Sequence, residues 1–456
     1  MFLRRIPYQS FVRRYGKKSN VLQTLKERGL IAQVSQPEQL LCNRLDNGDK
    51  VKLYCGADPT AKSLHLGNLL PLMVLLHFYI SGHDIVALVG GATGRVGDPS
   101  GRKTERTTMK DQDRIDNVTR ISKQLTNFFK TGLEYYKSKT GVTSVGNMVS
   151  ENNYNWWKDV KMLDFLAEYG KHIRIQSMLS RDSISSRLTS NDGLGFNEFT
   201  YQVLQAYDFY HLHKHQGVNI QVGGNDQWGN ITAGIDFISR IEPKGKGFPA
   251  FGITVPLLTT STGEKFGKSA GNAVFIDPEI NTPFDVYQFF VNTTDADVKR
   301  FLNIFTLLSS HEIHNVIAEH LNNPQERIAQ RMLAREVVDL LHGCGKGNDA
   351  EAVSDITFGR MDEETSASEL IRLFSEARIL NNVPKSLPLS EVITHLTGSS
   401  KSEVRRRLKQ GSVYLGASKT KIVEDISAED LRSYLIDNKV LILRLGKQKC
   451  FVAQID

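Results

Sequence analysis

Residues 51–68 read VKLYCGADPTAKSLHLGN, and this stretch decides the fold. Its apolar run ends at Asp58-Pro59, which predicts a buried strand that stops at a turn. A helix is predicted to begin near Ser63, so that His65 lies in its first turn. In an open parallel sheet, ligands lie beyond the carboxyl ends of the strands and over helix N termini. The stretch therefore predicts an α/β fold with a candidate anion site at this turn, although a lone histidine there is more often a hydrogen-bonded core residue.

Strand and helix patterns alternate outward from this turn. The apolar helix LGNLLPLMVLLHFYISG and the strand DIVALVGG follow it, and residues 104–180 are predicted to be mostly helical, with a polar loop around SENNYNW at 150–156. A helix at 197–213 then precedes the strand GVNIQV, the helix DQWGNITAGIDFISRI and the strand FGITVPLL. This alternation predicts a parallel sheet with helices on both faces, extending to about residue 260.

The chain of 456 residues is too long for a single core, and its pattern changes twice after the sheet. Helical periodicity alone continues from about 283 to 380, and NNVPKSLPLS at 381–390 is typical of a linker. The last 66 residues mix short helices and strands. We therefore expect an α/β domain over residues 21–280, an all-α domain over 281–380, and a linker with a small α+β domain over 381–456.

The formal net charge of +7 is unevenly distributed. Residues 1–20 carry six Lys or Arg and no acid, and residues 385–456 carry 13 Lys or Arg against 8 Asp or Glu, which leaves −4 for residues 21–384. The first segment, MFLRRIPYQSFVRRYGKKSN, has the Arg-rich, acid-free composition of a mitochondrial transit peptide, with a retained basic arm as the alternative. The basic C-terminal end suggests a polyanionic partner.

The four cysteines form no CxxC pair, and no histidine clusters with them at metal-ligand spacing. This favours a reduced compartment without structural zinc, which suits the mitochondrial matrix. No apolar run reaches the length of a membrane span, so no membrane partner is expected.

A second glycine-rich strand end lies at 88–106, LVGGATGRVGDPSGRKTER. Asp98 follows the glycines, and the cations Arg102, Lys103 and Arg106 come next. The glycine pattern alone is a weak signal, and it is not a P-loop because no G-K-[ST] follows at the required distance.

Three polar residues share a helical stripe in YQVLQAYDFYH at 201–211. Tyr201, Gln205 and Asp208 are spaced i, i+4 and i+7, and the residues between them are mostly apolar. A solvated face would be wider and richer in Lys and Glu, so the stripe favours a lined pocket. A further strand end, QVGGNDQWGN at 221–230, brings Asp226 and Gln227 to a helix start.

The segment EKFGKSAGN at 264–272 places Lys265 and Lys268 in a glycine-containing loop between two apolar runs. Taken alone, such a loop is more often a solvated surface feature. Beside several strand ends that carry Gly or Asp, it predicts a nucleotide site in which hydrogen-bond donors and cations balance the phosphate charge.

These motifs together closely resemble the tyrosyl-tRNA synthetases of the bacterial and mitochondrial kind, which are class I aminoacyl-tRNA synthetases. His65-Leu66-Gly67-Asn68 matches the HIGH signature with Asn in place of the last His, and residues 265–269, KFGKS, match KMSKS with Phe-Gly in place of Met-Ser. The stretches YCGADPTA, LQAYDF and GGNDQWGNITAG are also close to the sequence motifs of the family. The resemblance covers about residues 21–380, and residues 386–456 resemble the S4 RNA-binding module that ends these enzymes.

The resemblance implies a Rossmann-type catalytic domain, an all-α anticodon-binding domain and an S4-like domain. It also implies roles for individual side chains, grouped here by substrate. The catalytic residues that would face the phosphates are His65, Arg102, Arg106, Lys265 and Lys268. The residues that would bind tyrosine are Tyr54, Asp98, Tyr201, Gln205, Asp208 and Gln227. The residues that would bind ATP are Asp58, His65, Gly67, Asn68, Gly224, Asp226 and Lys268. The residues that would bind tRNA are Arg405, Arg406, Arg407 and Lys409.

The implied reaction joins tyrosine to ATP, giving tyrosyl-adenylate and pyrophosphate, and then transfers the tyrosyl group to the 3′ end of tRNA(Tyr). Mg²⁺ is expected with ATP, while no prosthetic group and no dedicated metal site are expected. The family also implies a homodimer. Two alternatives stay open at this stage: the related tryptophanyl-tRNA synthetases, against which Asp208 argues, and an RNA-binding or splicing factor that kept the fold and lost catalysis.

Overall fold

The structure is a computed structural model that describes residues 20–100, 109–181, 184–185, 188, 193–242, 249–261, 263, 273–361, 365–446 and 449–456. The expected transit peptide therefore lies outside the described residues apart from Asn20. In the part of the chain that is described, no helix is both long and apolar enough to cross a bilayer.

Two compact units make up the chain, and each consists of two stretches of sequence. The N-terminal unit comprises Met1–Asp277 and Thr294–Pro324, and the C-terminal unit comprises Pro278–Thr293 and Gln325–Asp456. These boundaries differ from those of the three expected domains, whose functional division stays a prediction.

The α-helices of the described residues are α1 (Val21–Glu27), α2 (Glu38–Asp46), α3 (Leu69–Ile80), α4 (Asp111–Thr140), α5 (Tyr154–Trp157), α6 (Met162–Glu168), α7 (Ile175–Leu179), α8 (Phe196–Gln216), α9 (Trp228–Ile241), α10 (Pro283–Val291), α11 (Asp295–Phe305), α12 (Ser310–Asn322), α13 (Ile328–His342), α14 (Lys346–Thr357), α15 (Ala367–Glu376), α16 (Leu389–Thr397), α17 (Lys401–Lys409) and α18 (Ala428–Leu431). The strands are β1 (Gln33–Val34), β2 (Lys52–Ala57), β3 (Asp84–Val89), β4 (Met148–Asn152), β5 (Ile220–Gly224), β6 (Phe251–Val255), β7 (Leu380–Val383), β8 (Val413–Leu415), β9 (Thr420–Ile422), β10 (Val440–Leu445) and β11 (Lys449–Ile455).

The sheet of the N-terminal unit has the order β1-β6-β5-β2-β3-β4. The pairs β6–β5, β5–β2, β2–β3 and β3–β4 are parallel, and β1 is antiparallel to β6. The predicted parallel sheet is therefore confirmed, and the strand ends of β2, β3 and β5 lie at one edge. The strand β4 was missed within the segment expected to be mostly helical, because MVSEN is short and half polar, as an edge strand can be.

Helices cover the sheet as the alternation predicts. Helix α3 is apolar on nearly its whole circumference and is buried from Leu69 to Tyr79 except at Pro71. The other face packs Tyr54, Val86 and Leu88 of the strands against α8 and α9.

Helices α11 and α12 belong to the N-terminal unit although the sequence predicted an all-helical domain over 281–380. One reason is the buried side chain of Arg28, which donates to the carbonyl oxygens of Asn303 (3.0 Å), Thr306 (2.9 Å) and Leu308 at the end of α11. A guanidinium offers five donors and suits three converging carbonyl groups.

The C-terminal unit combines helices with a five-stranded sheet of order β7-β11-β10-β8-β9. Strand β7 pairs in parallel with β11, so part of the segment expected to be a linker is a strand. Arg444 on β10 donates to the carbonyl oxygens of Thr357 (3.1 Å) and Ile356 (2.7 Å) at the end of α14. Helices and sheet therefore share a core, while the S4-like identity of the last segment stays a prediction.

Candidate active site

The HLGN motif forms a 3₁₀ turn rather than the start of an α-helix. His65 is the N-cap of Leu66–Asn68, and α3 begins only at Leu69. Its Nδ1 accepts from the N–H of Gly67 at 3.0 Å, while Asn68 Oδ1 accepts from the N–H of His65 at 3.0 Å. A neutral imidazole that accepts at Nδ1 carries its proton on Nε2, so Nε2 is a donor. The side chain of Asn68 shapes this turn, and its expected contact with ATP stays a prediction.

Residues 274–276, which follow the predicted loop of Lys265 and Lys268, pair with this turn. The N–H of Leu66 donates to Val274 O and the N–H of Ile276 donates to Leu64 O, both at 3.0 Å. His65 and Phe275 form an antiparallel bridge. Lys265, Lys268, Arg102 and Arg106 lie outside the described residues, so their predicted roles stay predictions.

Gln124 on α4 holds both partners of this pairing together. Its Oε1 accepts from the N–H of Leu64 at 2.9 Å, and its Nε2 donates to Lys62 O at 3.1 Å and to Asp277 Oδ2 at 3.0 Å. Sequence reasoning missed this residue, because a single glutamine in a long amphipathic helix carries no distinguishing pattern.

Asp208 is buried on α8 and accepts three hydrogen bonds. Its Oδ1 accepts from the indole N–H groups of Trp156 (2.8 Å) and Trp157 (2.7 Å), and its Oδ2 accepts from Asn153 Nδ2 (2.9 Å). Burial raises the pKa of Asp208 to about 7, the three donors oppose the rise, and the charge of Asp58 adds to it. Asn153, Trp156 and Trp157 were missed, although the two adjacent tryptophans that end the polar stretch SENNYNWW at 150–157 were an available signal.

Tyr54 lies beside Asp208 with its hydroxyl unsatisfied. Its side chain is 1% exposed, and the hydroxyl has no hydrogen-bond partner among the described residues. Burial raises the pKa of Tyr54 well above its usual value, with the charge of Asp208 as the next cause, so the phenol stays protonated. A buried hydroxyl without a partner is costly unless a ligand satisfies it.

Tyr201 and Asp58 form the next part of this polar cluster. The hydroxyl of Tyr201 donates to Asp58 Oδ2 at 2.7 Å, and the hydroxyl of Thr93 donates to Asp58 Oδ1 at 2.9 Å. Burial, followed by the charges of Asp58 and Asp98, raises the pKa of Tyr201 well above its usual value. Asp58, which the resemblance assigned to ATP, therefore directly contacts a residue assigned to tyrosine.

Asn230 on α9 connects the remaining predicted tyrosine residues. Its Nδ2 lies 3.1 Å from Gln205 Oε1, 3.2 Å from Gln227 Oε1 and 3.5 Å from Asp98 Oδ1. Gln227 in turn donates from Nε2 to Asp98 Oδ2 at 2.6 Å. The stripe of Tyr201, Gln205 and Asp208 is thus joined to residues from the ends of β3 and β5. Asn230 is a further residue that the sequence reasoning missed.

Glycines make room at these strand ends. A Cβ at Gly90 would collide with Asp58 and Thr93, and a Cβ at Gly224 would lie 2.5 Å from Asp226 Oδ1. Asp226 itself lies in an exposed 3₁₀ turn, Asn225–Gln227, directly after β5. Among the described residues, no group of three His, Cys, Asp or Glu side chains could hold a metal ion.

The predicted tRNA residues divide into two sets on α17. Arg405, Arg406 and Lys409 line one shallow cavity with Ser402 and Gln410. Arg407 instead donates to Glu403 Oε1 from Nε at 3.2 Å and from Nη2 at 2.8 Å.

Comparisons with known proteins identify the family of the chain. The family of class I tRNA synthetases for tryptophan and tyrosine matches residues 46–359. The mitochondrial tyrosine–tRNA ligase of Saccharomyces cerevisiae is 62% identical over 444 residues, covering 96% of this chain and 90% of the relative. The tyrosine–tRNA ligase of Oenococcus oeni is 40% identical over 439 residues, covering 96% of this chain and 100% of the relative.

Among solved structures, a C-terminally truncated mitochondrial tyrosyl-tRNA synthetase of Aspergillus nidulans superimposes with a TM-score of 0.68 at 36% identity, covering 75% of this chain and 95% of that one. The fold is that of the class I aminoacyl-tRNA synthetases. Within that class, the chain belongs to the tyrosyl-tRNA synthetases. The tryptophanyl and splicing-factor alternatives are not favoured.

Proposed function

We propose that the buried pocket between Tyr54 and Asp208 binds the phenol of tyrosine in the tyrosine–tRNA ligase reaction, with ATP as the second substrate. The observation that carries this assignment is the Tyr54 hydroxyl, which has no hydrogen-bond partner among the described residues and lies beside a buried carboxylate. Tyrosine donates its phenolic proton to Asp208 and satisfies Tyr54. Phenylalanine leaves the Tyr54 hydroxyl without a partner, which costs roughly 1–3 kcal/mol, and it gives Asp208 no donor beyond Asn153, Trp156 and Trp157.

The other end of the pocket suits the amino acid's charged groups. The ammonium contacts Asp98, Tyr201 and Gln205, and Gln227 lies near the carboxylate. The attacking carboxylate is already ionised, so the reaction needs no general base and no covalent nucleophile. The work of the enzyme is to position the reactants and to stabilise phosphate charge.

The phosphate-facing groups complete the mechanism. His65 donates from Nε2 to a phosphate oxygen, and Lys265, Lys268, Arg102 and Arg106 offset the charge of the departing pyrophosphate. Gly67, Asn68, Gly224 and Asp226 surround the nucleotide, with Asp226 at the ribose and Asp58 beside the ATP. Mg²⁺ is proposed to accompany ATP, where it would offset part of the phosphate charge.

Tyrosine-dependent ATP–pyrophosphate exchange tests the pocket. Asp208→Asn should lower kcat/KM for tyrosine by at least 100-fold, since three donors and a phenol all require an acceptor there. Glu336→Gln is the matched control, because Glu336 is another buried carboxylate with a raised pKa, about 8, and lies on α13 in the C-terminal unit. If both variants keep wild-type exchange, or if wild type prefers phenylalanine or tryptophan, the pocket assignment fails.

We further propose that Arg405, Arg406 and Lys409 bind tRNA phosphates, since they line one surface while Arg407 is engaged with Glu403. Because the helices and sheet of the C-terminal unit share a core, point substitutions are a cleaner test than deletion of residues 386–456. Arg405→Ala should raise KM for tRNA and leave pyrophosphate exchange unchanged. Equal effects of Arg405→Ala and Arg407→Ala on KM would contradict the assignment.

A homodimer is the proposed assembly of the chain. The N-terminal unit exposes large apolar side chains within one stretch, including Leu163 (79% exposed), Phe196 (73%), Met162 (67%) and Ile175 (65%). Several exposed apolar side chains close together in sequence support an interaction surface in this segment. Analytical ultracentrifugation should give a dimer for wild type and a shift towards monomer for Leu163→Asp. Wild-type monomer at micromolar concentration would contradict the proposal.

The proposed location is the mitochondrial matrix, directed by residues 1–20. The relatives include mitochondrial enzymes. A reporter fused to residues 1–20 should enter the matrix, and the enzyme without them should keep its exchange activity. A cytosolic reporter would contradict this part of the proposal.

A further inference from the structure

A continuous chain of hydrogen bonds joins the two ends of the pocket. Tyr201 donates to Asp58 Oδ2 at 2.7 Å, and Thr93 donates to Asp58 Oδ1 at 2.9 Å. Asn153 Nδ2 then donates to Thr93 Oγ1 at 2.9 Å and to Asp208 Oδ2 at 2.9 Å. The chain Tyr201–Asp58–Thr93–Asn153–Asp208 therefore runs without a gap from the ammonium end to the phenol end.

The middle of this hydrogen-bonded chain is buried. Thr93 is 3% exposed and Asn153 is 0% exposed. Thr93 begins the 3₁₀ turn after β3, and the absence of a Cβ at Gly90 leaves space for the contact between Asp58 and Thr93. Asn153 is anchored through its backbone, because its N–H donates to Val89 O at 3.1 Å.

The direction of each hydrogen bond is fixed by its neighbours. Asn153 Oδ1 accepts from the N–H of Ala92 at 2.7 Å, so its Nδ2 must face Thr93 and Asp208. Both Nδ2 hydrogens are then used, one for each partner. The single hydroxyl proton of Thr93 goes to Asp58, and its lone pair accepts from Asn153. Thr93 therefore has to donate and accept at once.

We propose that Thr93 is a positioning residue that couples the phenol end of the tyrosine pocket to its ammonium end. This inference rests on the proposed function of the pocket. Hydrogen bonds in a chain polarise one another in a low-dielectric interior. A phenol that binds Asp208 changes the bond from Asn153, and Thr93 passes that change to Asp58 and Tyr201. Residues in one such network show non-additive effects when both ends are altered.

The test measures kcat/KM by pyrophosphate exchange for tyrosine and for phenylalanine, which lacks the phenolic hydroxyl. In an otherwise wild-type enzyme, Tyr201→Phe should lower the ratio of tyrosine to phenylalanine kcat/KM by about threefold or more, although Tyr201 lies at the other end of the pocket. In the Thr93→Val background, the same Tyr201→Phe change should affect both amino acids equally and leave the ratio unchanged. Valine matches threonine in shape but removes both the donor and the acceptor.

Thr93→Ser is the rescue variant, because it keeps the hydroxyl and should keep the coupling of wild type. If circular dichroism shows that Thr93→Val does not fold, Thr93→Ala replaces it. The comparison of wild type with Tyr201→Phe decides by itself whether the two ends of the pocket are coupled. An unchanged ratio in that comparison overturns the inference, as does coupling that persists without the Thr93 hydroxyl. Loss of tyrosine preference in wild type would instead refute the pocket assignment, so the two failures are distinguishable.

Discussion

Replacing Tyr54 by phenylalanine should stabilise the free enzyme and weaken its reaction with tyrosine. The substitution removes one oxygen from a side chain that is 1% exposed and whose hydroxyl has no partner among the described residues. An unsatisfied buried polar group costs roughly 1–3 kcal/mol, so the free energy of unfolding should rise by up to that amount. The ring, which packs 5.3 Å from Phe209 between centroids, stays in place.

The effect on activity has the opposite sign. A neutral hydrogen bond contributes about 0.5–1.5 kcal/mol, so its loss in the complex should lower kcat/KM for tyrosine by about 2- to 13-fold. The value for phenylalanine should not fall, since that amino acid never formed the bond. A variant that is more stable but distinguishes tyrosine from phenylalanine less well is the result expected if the Tyr54 hydroxyl serves binding and not folding.

The assay pairs urea unfolding without ligands with pyrophosphate exchange for both amino acids. Tyr135→Phe is the matched control, because the hydroxyl of Tyr135 on α4 is also buried and unpartnered among the described residues. The control should gain stability and keep wild-type exchange. A Tyr54→Phe variant that unfolds more easily and activates tyrosine normally would refute this reasoning, as would an equal loss of activity in Tyr135→Phe.

Three further predictions follow from the same contacts. The preference for tyrosine over phenylalanine, measured as the ratio of kcat/KM, should fall as pH drops through about 7. The reason is that burial raises the pKa of Asp208 to about 7, and the protonated carboxyl is a weaker acceptor. A ratio constant between about pH 6 and pH 8.5 would contradict this. Asn230→Asp should raise KM for tyrosine about tenfold or more and change KM for ATP little, since the substitution removes a donor and adds a negative charge beside Asp98. Equal changes in both KM values in exchange assays would contradict this prediction. Arg28→Ala should lower the free energy of unfolding by about 3 kcal/mol or more in urea titrations, because it leaves buried carbonyl groups without their donor. A loss below about 1 kcal/mol would contradict this prediction.

The parallel sheet and the pocket stripe could be predicted because both depend on local periodicity. Tyr201, Gln205 and Asp208 share a helical face by spacing alone. The structure places Tyr201 and Asp208 in one hydrogen-bonded chain and joins Gln205 to Asn230. Glycines after apolar runs located the strand ends in the same way. These signals lie within a few residues of one another, so one sequence is enough to read them.

The partners of those residues could not be predicted, because they come from distant parts of the chain. Asp208 contacts Trp156 and Trp157 from a segment that precedes it by about 50 residues. Asn153 follows a polar edge strand that helical periodicity obscured. Helix α11 belongs to the N-terminal unit in part because its last carbonyl groups bind Arg28. The sequence around Arg28 gives no indication of these partners.

The divided N-terminal unit has a consequence for the order in which the chain can fold. Arg28 is separated by 275 residues from Asn303, the first of its carbonyl partners. At about 5–20 residues synthesised per second, those partners emerge roughly 14–55 s after Arg28 itself. Until then the buried surface that receives α11 has no cover. Productive biogenesis therefore requires that the first 277 residues be kept from aggregating until residue 324 has arrived.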